Sequence, residues 1–338
     1  TRILDVRYFL LDNVTLYAPA TDGQTVALPS GRVHPQGFRP DLSRFFAFEL
    51  QLPPATTQTY YLQVTSADAI ALPLFLSSPA RQQAYQVTDT LYMTLYVGMI
   101  LSTIFFAVFM LVSLRERELV YYLGFLLFHH LIVLNLMEGI PAAVLDLDTP
   151  FLTQELVVPF VSLAILMAVL FMRQFLRLKA ANTRLYRFTH VLVGMLLLSL
   201  SLFLLLPHFQ AIIATTFVCM LVGSGMMLVC ILQVMNGQPE ARYFLLAWSA
   251  GILGASIYGM KLFQLLPVNL FTSYSWHVGT LLEAILFSFT IAHRVNRERR
   301  QRLQVQTALA ERERSLRLTQ EQLLHAETAA KEELEVRV

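Results

Sequence analysis

A small set of side chains in the apolar part of this chain could do acid–base or metal chemistry. Glu283 lies about ten residues into an apolar stretch, where a charged group would cost on the order of 3 kcal/mol. It should therefore be protonated or paired with a cation. Lys261, near the end of the preceding apolar stretch, could extend toward the surface or reach Glu283 as its partner.

Three histidines, His129, His130 and His277, also lie in apolar stretches. His129 and His130 are adjacent, so on a helix they point about 100° apart and one of them must face away from the other. This pair lacks the four-residue spacing of helical metal ligands, so hydrogen-bonded packing is favoured over metal binding. A metal centre would require all three histidines and Glu283 to converge. We predict no metal and no cofactor.

The familiar signatures of enzymes are missing from these 338 residues. We find no phosphate-binding glycine loop, no nucleophile elbow and no zinc signature. The last apolar stretch has no lysine that could hold retinal as a Schiff base. We therefore predict no catalytic residue and no covalent chemistry in this sequence.

The composition is that of a membrane protein. Charged residues make up 14% of the chain, against about a quarter in soluble domains, and the mean hydropathy is +0.56. Seven stretches are long enough as helices to cross a lipid bilayer. They lie near Leu91–Leu114, Leu119–Met137, Phe151–Met172, Phe188–Leu206, Ala211–Met235, Tyr243–Leu266 and Thr272–His293.

Basic residues in the loops predict the direction of these spans, because Lys and Arg are retained on the cytoplasmic side. They follow the first, third, fifth and seventh spans, at Arg115 and Arg117; Arg173, Arg177, Lys179, Arg184 and Arg187; Arg242; and Arg294, Arg297, Arg299, Arg300 and Arg302. The alternate loops contain no Lys or Arg. We predict that the N-terminus lies outside and the C-terminus in the cytoplasm. The net charge of +2 gives no indication of nucleic-acid binding.

Short β-type runs separated by turn residues precede the spans and predict an antiparallel sandwich. The runs are Leu4–Leu10, Val14–Tyr17, Arg44–Leu50, Thr59–Thr65 and Ile70–Leu76, with turn chemistry at Thr21–Gln24, Pro29–Pro40 and Leu52–Pro54. Arg7, Arg39, Arg44 and Tyr60 could form a surface that binds a small ligand, either a carbohydrate or an anion. Ordinary sandwich surface and core is the alternative.

Small residues recur every four positions in the sixth span, at Ala247, Gly251, Ala255 and Gly259. Such a ladder lets a second helix approach closely. Tight packing is the simpler interpretation, and a sliding interface used in signalling is the alternative.

After the last span, Leu309, Leu316, Leu323 and Ala330 recur every seven residues in a segment rich in Glu, Arg and Gln. Apolar residues at heptad spacing predict a parallel dimeric coiled coil, although Arg and Thr on the neighbouring seam positions would weaken it. We expect a homodimer formed through this helix. A long solvated single helix is the alternative.

Several motifs in the spans resemble those of one family. They are Ser113–Arg117 followed by Tyr121-Tyr122, Arg173–Leu176, Ala241–Trp248, and Gly279–Arg297 with Leu282-Glu283 and Arg294-Val295-Asn296. They are similar to the bacterial seven-transmembrane receptors with diverse intracellular signalling modules. In that family a periplasmic sandwich of the second ectodomain type, similar to carbohydrate-binding jelly rolls, precedes the spans. Residues Asp12–Tyr17, Arg39–Leu52 and Tyr60–Leu76 resemble its later strands, and we expect its first strands to be missing.

The resemblance implies a receptor of the bacterial inner membrane. We predict a mainly α membrane protein with a partial periplasmic β-sandwich over residues 1–85, a seven-helix bundle over 86–293 and a signalling coiled coil over 294–338. The expected function is the sensor half of a histidine kinase. A diguanylate cyclase effector is the first alternative, because Leu334–Val338 resembles the linker to either enzyme. A transporter or an intramembrane metalloenzyme is the second.

Overall fold

The computed structural model describes residues 1–8, 11–19, 25–31, 45–66, 70–134 and 156–336. Residues 1–288 form one compact unit and residues 289–338 form a second. Within the first unit, strands occupy the N-terminal part and helices the remainder. The prediction of a mainly α membrane protein with an N-terminal β-sandwich is confirmed.

In the described part of the N-terminal region, six strands form two antiparallel three-stranded sheets. Their bounds are β1 Arg2–Val6, β2 Asn13–Pro19, β3 Thr25–Ser30, β4 Phe46–Leu50, β5 Tyr61–Thr65 and β6 Leu74–Ser77. One sheet has the order β4-β1-β6 and the other β3-β2-β5. Alternate side chains point between the sheets, so Val6, Val14, Leu16, Phe46 and Phe48 form a buried core.

Strand β3 is not among the five predicted strands. Pro29 predicts a turn, but among the described residues β3 pairs with β2 alone and lies at the edge of its sheet, where proline is tolerated. The predicted run Leu4–Leu10 is also too long, because β1 ends at Val6. The predicted turn Thr21–Gln24 and most of Pro29–Pro40 lie outside the described residues.

Helices follow from residue 79 onward. Their bounds are α1 Pro79–Leu114, α2 Arg117–Ile132, α3 Val157–Phe175, α4 Leu178–Ala181, α5 Thr183–Leu205, α6 His208–Met235, α7 Pro239–Leu262 and α8 Leu270–Val336. Local chemistry fixes several of the ends. Pro79 stands in the first turn of α1, where its missing N–H costs nothing, and Asn182 accepts hydrogen bonds from two backbone N–H groups at the start of α5.

Each predicted span falls on one of these helices. Over the described residues, six helices are long and apolar enough to cross a membrane, namely α1, α3, α5, α6, α7 and α8. Helix α2 carries the remaining predicted span and has 16 helical residues up to Ile132. The end of that span and the start of the third lie outside the described residues.

Candidate functional site

The outer face of the β4-β1-β6 sheet packs against the first turns of α1. Asp5 on β1 is fully buried there, and the Gln82 side chain, 3% exposed, donates a hydrogen bond from Nε2 to the Asp5 Oδ1. Arg7 lies 3.4 Å from the other carboxylate oxygen. A polar contact thus joins the sandwich to the helix that follows it.

Arg7 completes this junction. Its guanidinium lies 4.2 Å from the centre of the Phe75 ring on β6 and 3.5 Å from that of the Tyr85 ring on α1. Cation–π contacts of this kind are strengthened when water is excluded. Although Arg7 is predicted to bind ligand, the structure places it between the sheet and α1, where it holds the two elements together.

Burial raises the pKa of Asp5 above its ordinary value. The charge of Arg7 and the hydrogen bonds from Arg7 and Gln82 oppose this rise. The ionised form of Asp5 is therefore energetically unfavourable at this junction. The partners of its carboxyl group come from both the sheet and α1.

One face of α1 continues from this junction into the helical bundle. Its buried residues are Gln82, Asp89, Met93, Tyr96, Ile100 and Ala107. Steps of three, four and seven residues place these side chains along one side of a helix. The side of α1 that contacts the sandwich is thus the side that packs against other helices.

Helix α8 contacts this face near the end of the bundle where α1 begins. The Tyr274 hydroxyl donates to Asp89, and the Tyr274 ring lies 5.4 Å from that of Tyr92. Deeper in the bundle, the Tyr96 and Thr280 hydroxyls are 3.0 Å apart, and the Tyr96 ring meets His277 edge-on at 4.7 Å. Polar and aromatic contacts thus couple α1 to α8.

The adjacent histidines of α2 have different surroundings. His130 is buried, with Nδ1 2.9 Å from the Leu126 carbonyl oxygen and its ring stacked on Tyr96 at 6.3 Å. His129 packs edge-on against Phe125 at 5.1 Å. Within the described ranges, no three His, Cys, Asp or Glu side chains are placed to hold a metal ion. Both histidines thus pack against aromatic rings.

Glu283 and Lys261 are not brought together. The Glu283 carboxylate packs against Gly251 of α7, and the Lys261 ammonium lies 4.2 Å from the centre of the Tyr258 ring. Because Gly251 and Lys261 are ten residues apart on one helix, about 15 Å of rise separates them.

Helices α7 and α8 approach closely at a pair of glycines. A Cβ atom at Gly254 would lie 2.8 Å from the Gly279 Cα, and one at Gly279 would lie 2.9 Å from the Gly254 Cα. Of the predicted ladder, Ala247 and Gly251 are buried and Ala255 is partly buried, whereas a Cβ at Gly259 would meet nothing within 4 Å. The tight contact therefore centres on Gly251 and Gly254.

An aromatic cluster packs the bundle beyond Glu283. The Phe287 ring lies 4.8 Å from Phe244, 5.4 Å from Phe171 and 6.0 Å from Tyr122. The Tyr122 hydroxyl donates to the Ala284 carbonyl oxygen at 3.0 Å. This cluster, made of Tyr122, Phe171, Phe244 and Phe287, joins α2, α3, α7 and α8.

The remaining predicted residues lie apart from this site. Arg39 and Arg44 lie outside the described residues. Tyr60 donates a hydrogen bond to Gln58 at 2.8 Å and packs against the sandwich core. Leu309 and Leu316 are 55% and 69% exposed on the single chain, and Leu323 and Ala330 lie in the same helix α8.

Asp5, Gln82, Asp89, Tyr96 and Gly279 are not among the residues predicted from the sequence. A signal for three of them was available, since Gln82, Asp89 and Tyr96 recur every seven residues before and within the first span. Asp5 gave no such signal, because its burial depends on a helix more than seventy residues later.

Comparison with known families places both parts of the chain. A family described as 7TM diverse intracellular signalling matches residues 89–294, and a domain described as 7TMR-DISM extracellular 2 matches residues 1–78. No curated protein and no solved structure matches the chain.

The buried carboxyl at the junction predicts a pH dependence. Because the folded-state pKa of Asp5 lies above its ordinary 3.8, the unfolding free energy should fall as the pH rises from about 3.8 through the folded-state pKa. Asp5→Asn should remove this part of the slope, measured by hydrogen exchange of the β1 amides across that range. Glu49→Gln, an exposed carboxylate on the neighbouring strand, is the control. An unchanged slope in Asp5→Asn would contradict the assignment.

The close approach of α7 and α8 predicts different outcomes for two identical substitutions. Gly254→Ala would place its Cβ 2.5 Å from the Ser275 carbonyl oxygen and should destabilise the bundle by about 1–3 kcal/mol. Gly259→Ala meets open space and should be neutral or slightly stabilising. Thermal unfolding of both variants in detergent checks this, and equal midpoints would show that the two helices do not touch at Gly254.

Proposed function

The chain belongs to the 7TM diverse intracellular signalling family of membrane receptors, and we propose that it relays an extracellular ligand signal to an intracellular histidine kinase. The observation that carries this proposal is the single face of α1. That face contacts the sandwich through Gln82 and the output helix α8 through Asp89 and Tyr96.

The relay begins at the junction. A small ligand, such as a carbohydrate, that binds the sandwich would displace β1, and α1 would follow because Asp5 and Arg7 contact α1 directly. These contacts are polar and stacked, so they have preferred geometries and resist sliding. A displacement of the sheet would therefore move α1.

Helix α1 then biases α8. The contacts from Asp89 and Tyr96 to α8 lie two and four turns beyond Gln82 on the same face. A shift of α1 would favour one of two packings of α8 against its neighbours, which is how a ligand selects between states of a receptor. At the contact between Gly254 of α7 and Gly279 of α8, no side chain of either glycine separates the two backbones.

We also propose that two copies of the chain pair through the segment after the last span, in the bacterial inner membrane with the N-terminus outside. The loop arginines support this direction. Leu309 and Leu316 support pairing, because they recur at heptad spacing and are exposed on the single chain. The kinase is the finer part of the proposal, since Leu334–Val338 resembles the linker to a kinase or to a diguanylate cyclase, and the assay of the output distinguishes the two.

The relay predicts that a single side chain at the junction controls the output. In the full-length receptor, Gln82→Leu should lower the ligand-dependent autophosphorylation measured in membranes, because the hydrogen bond to Asp5 is lost. Gln83→Leu, its exposed neighbour, should respond like the parent. Equal responses of the two variants would refute the relay. Synthesis of a cyclic dinucleotide without autophosphorylation would refute only the kinase assignment.

Pairing of the tail predicts a position-specific crosslink. Leu316→Cys, in a background with Cys219 and Cys230 replaced by alanine, should form a disulfide-linked dimer in membranes under mild oxidation. Ser315→Cys, one residue away and off the heptad seam, should crosslink less. Equal crosslinking at both positions would show that Leu316 does not lie on a seam.

A further inference from the structure

The segment that joins α3 to α5 is strongly basic and contains no acidic residue. Residues 173–187 include no Asp or Glu, and their cations are Arg173, Arg177, Lys179, Arg184 and Arg187. The other basic loops each contain a glutamate close to their arginines, at Glu116, Glu240 and Glu298. Retention of basic residues on one side of the membrane does not require such an exclusion of acidic ones. The composition of this segment therefore favours an anionic partner.

Most of these cations lie at the surface. The side chains of Arg177, Lys179, Arg184 and Arg187 are exposed. Within the described ranges, no carboxylate pairs with Lys179, Arg184 or Arg187. Their charge is therefore not neutralised by the protein and is available to an anion that approaches from outside the bundle.

The backbone that carries the cations is held in place. Leu176 and Leu178 are 2% and 0% exposed, so the turn between α3 and α5 is anchored in the bundle through its leucines. Arg173 on α3 donates a hydrogen bond from Nη2 to the Tyr186 hydroxyl on α5 at 2.9 Å, and its guanidinium lies 4.6 Å from the centre of the Tyr186 ring. The two helices are thus joined beside the exposed cations, which gives this basic surface a defined shape.

An apolar stripe on α5 continues from two of the cations along the helix. Exposed positions follow one another at intervals of three or four residues, at Arg184, Arg187, Val191, Gly194 and Leu198. This spacing places them along one side of the helix. Val191 and Leu198 are 58% and 56% exposed, and a Cβ at Gly194 would meet nothing within 4 Å. Gly194 therefore leaves an open notch between two exposed apolar side chains.

The length of this stripe matches one leaflet of a bilayer. Leu198 is eleven residues beyond Arg187, which corresponds to about 16 Å of rise along the helix. Half of a hydrocarbon core about 30 Å thick is about 15 Å. A molecule with its charge at Arg187 and an acyl chain along α5 would therefore end near Leu198.

We propose that the exposed cations of residues 177–187 and the stripe from Val191 to Leu198 form a binding site for a phospholipid with an anionic headgroup. Arg184 and Arg187 are three residues apart and so are neighbours on the helix surface. Their guanidinium groups donate hydrogen bonds to the phosphate oxygens, as arginine commonly does. One acyl chain of the lipid lies along the stripe and fills the notch at Gly194.

Charge complementarity selects among lipids at this site. A zwitterionic lipid such as phosphatidylcholine has the same phosphate, but its ammonium group is repelled by the cluster of cations. An anionic lipid such as phosphatidylglycerol has no such group, and each nearby Lys or Arg strengthens its binding. In the proposed direction of the chain, the site faces the cytoplasmic leaflet. The site itself follows from charge and shape and does not depend on that direction.

Native mass spectrometry of the purified chain in detergent, titrated with phosphatidylglycerol, tests this proposal. The parent should bind one phosphatidylglycerol more tightly than phosphatidylcholine with the same acyl chains. Arg184→Gln and Arg187→Gln together should weaken phosphatidylglycerol binding by on the order of tenfold, because two cations are lost. Arg314→Gln and Arg317→Gln together remove the same charge at the same spacing from an exposed part of α8, and they should leave the affinity unchanged.

Filling the notch distinguishes a lipid from a soluble anion. Gly194→Leu keeps every charge but occupies the space of the acyl chain, so phosphatidylglycerol should bind severalfold more weakly. Gly98→Leu is the matched control, because Gly98 is an exposed glycine of α1 where a Cβ also meets nothing within 4 Å. All of these positions are exposed, so the variants should fold like the parent.

Three results would overturn the proposal. The first is equal affinity of the parent for phosphatidylglycerol and phosphatidylcholine. The second is an equal loss of affinity in the two arginine pairs, which would show that only the total charge matters. The third is competition by glycerol phosphate at the same concentration as the lipid, which would identify a soluble-phosphate site. None of these results bears on the relay through Gln82 or on the kinase, so the proposals fail separately.

Discussion

The buried Asp5 carboxylate determines how the β-sandwich and the first membrane helix meet. A carboxylate removed from water requires hydrogen bonds and a nearby positive charge, and the structure supplies them as Gln82 and Arg7. Arg7 is in turn held between the rings of Phe75 and Tyr85. Since these partners lie just after β1, on β6 and on α1, satisfying one buried charge fixes the helix on the sheet. The position of α1 on the sheet then determines where its side chains make contacts deeper in the bundle.

The bundle contains two kinds of helix contact with different mechanical properties. Helices α1 and α8 meet through hydroxyl, carboxylate and ring contacts, which have preferred geometries. Helices α7 and α8 meet at Gly254 and Gly279, where the two backbones approach closely, and at aromatic contacts such as that between Phe244 and Phe287. Helix α8 is therefore joined to α1 by polar contacts and to α7 by a close backbone approach flanked by aromatic rings.

Apolar length and loop charge were sufficient to locate the helices, because a bilayer imposes both signals directly on the sequence. Side-chain roles that depend on partners distant in the sequence were harder to predict. Arg7 has the residue type of a ligand-binding group, yet its surroundings are set by Tyr85 on a later helix. The depth of Glu283 in its apolar stretch indicated that the carboxyl group must be neutral or paired. Only the structure shows that Lys261 lies too far along α7 to be its partner. Strand β3 was not predicted because it contains Pro29. Proline is tolerated on an edge strand, but the nearby sequence does not reveal that β3 lies at an edge.

In the proposed relay, Gln82 and Tyr96 act in one path from the sandwich to α8. A double-mutant cycle on the signalling response of the full-length receptor tests it most directly, using Gln82→Leu, Tyr96→Phe and the double variant. If the two side chains act in series, the double variant should give the same signalling response as the single variant with the smaller response. The free-energy effects of the two substitutions would then be far from additive. Independent effects whose free energies add in the double variant would contradict the account.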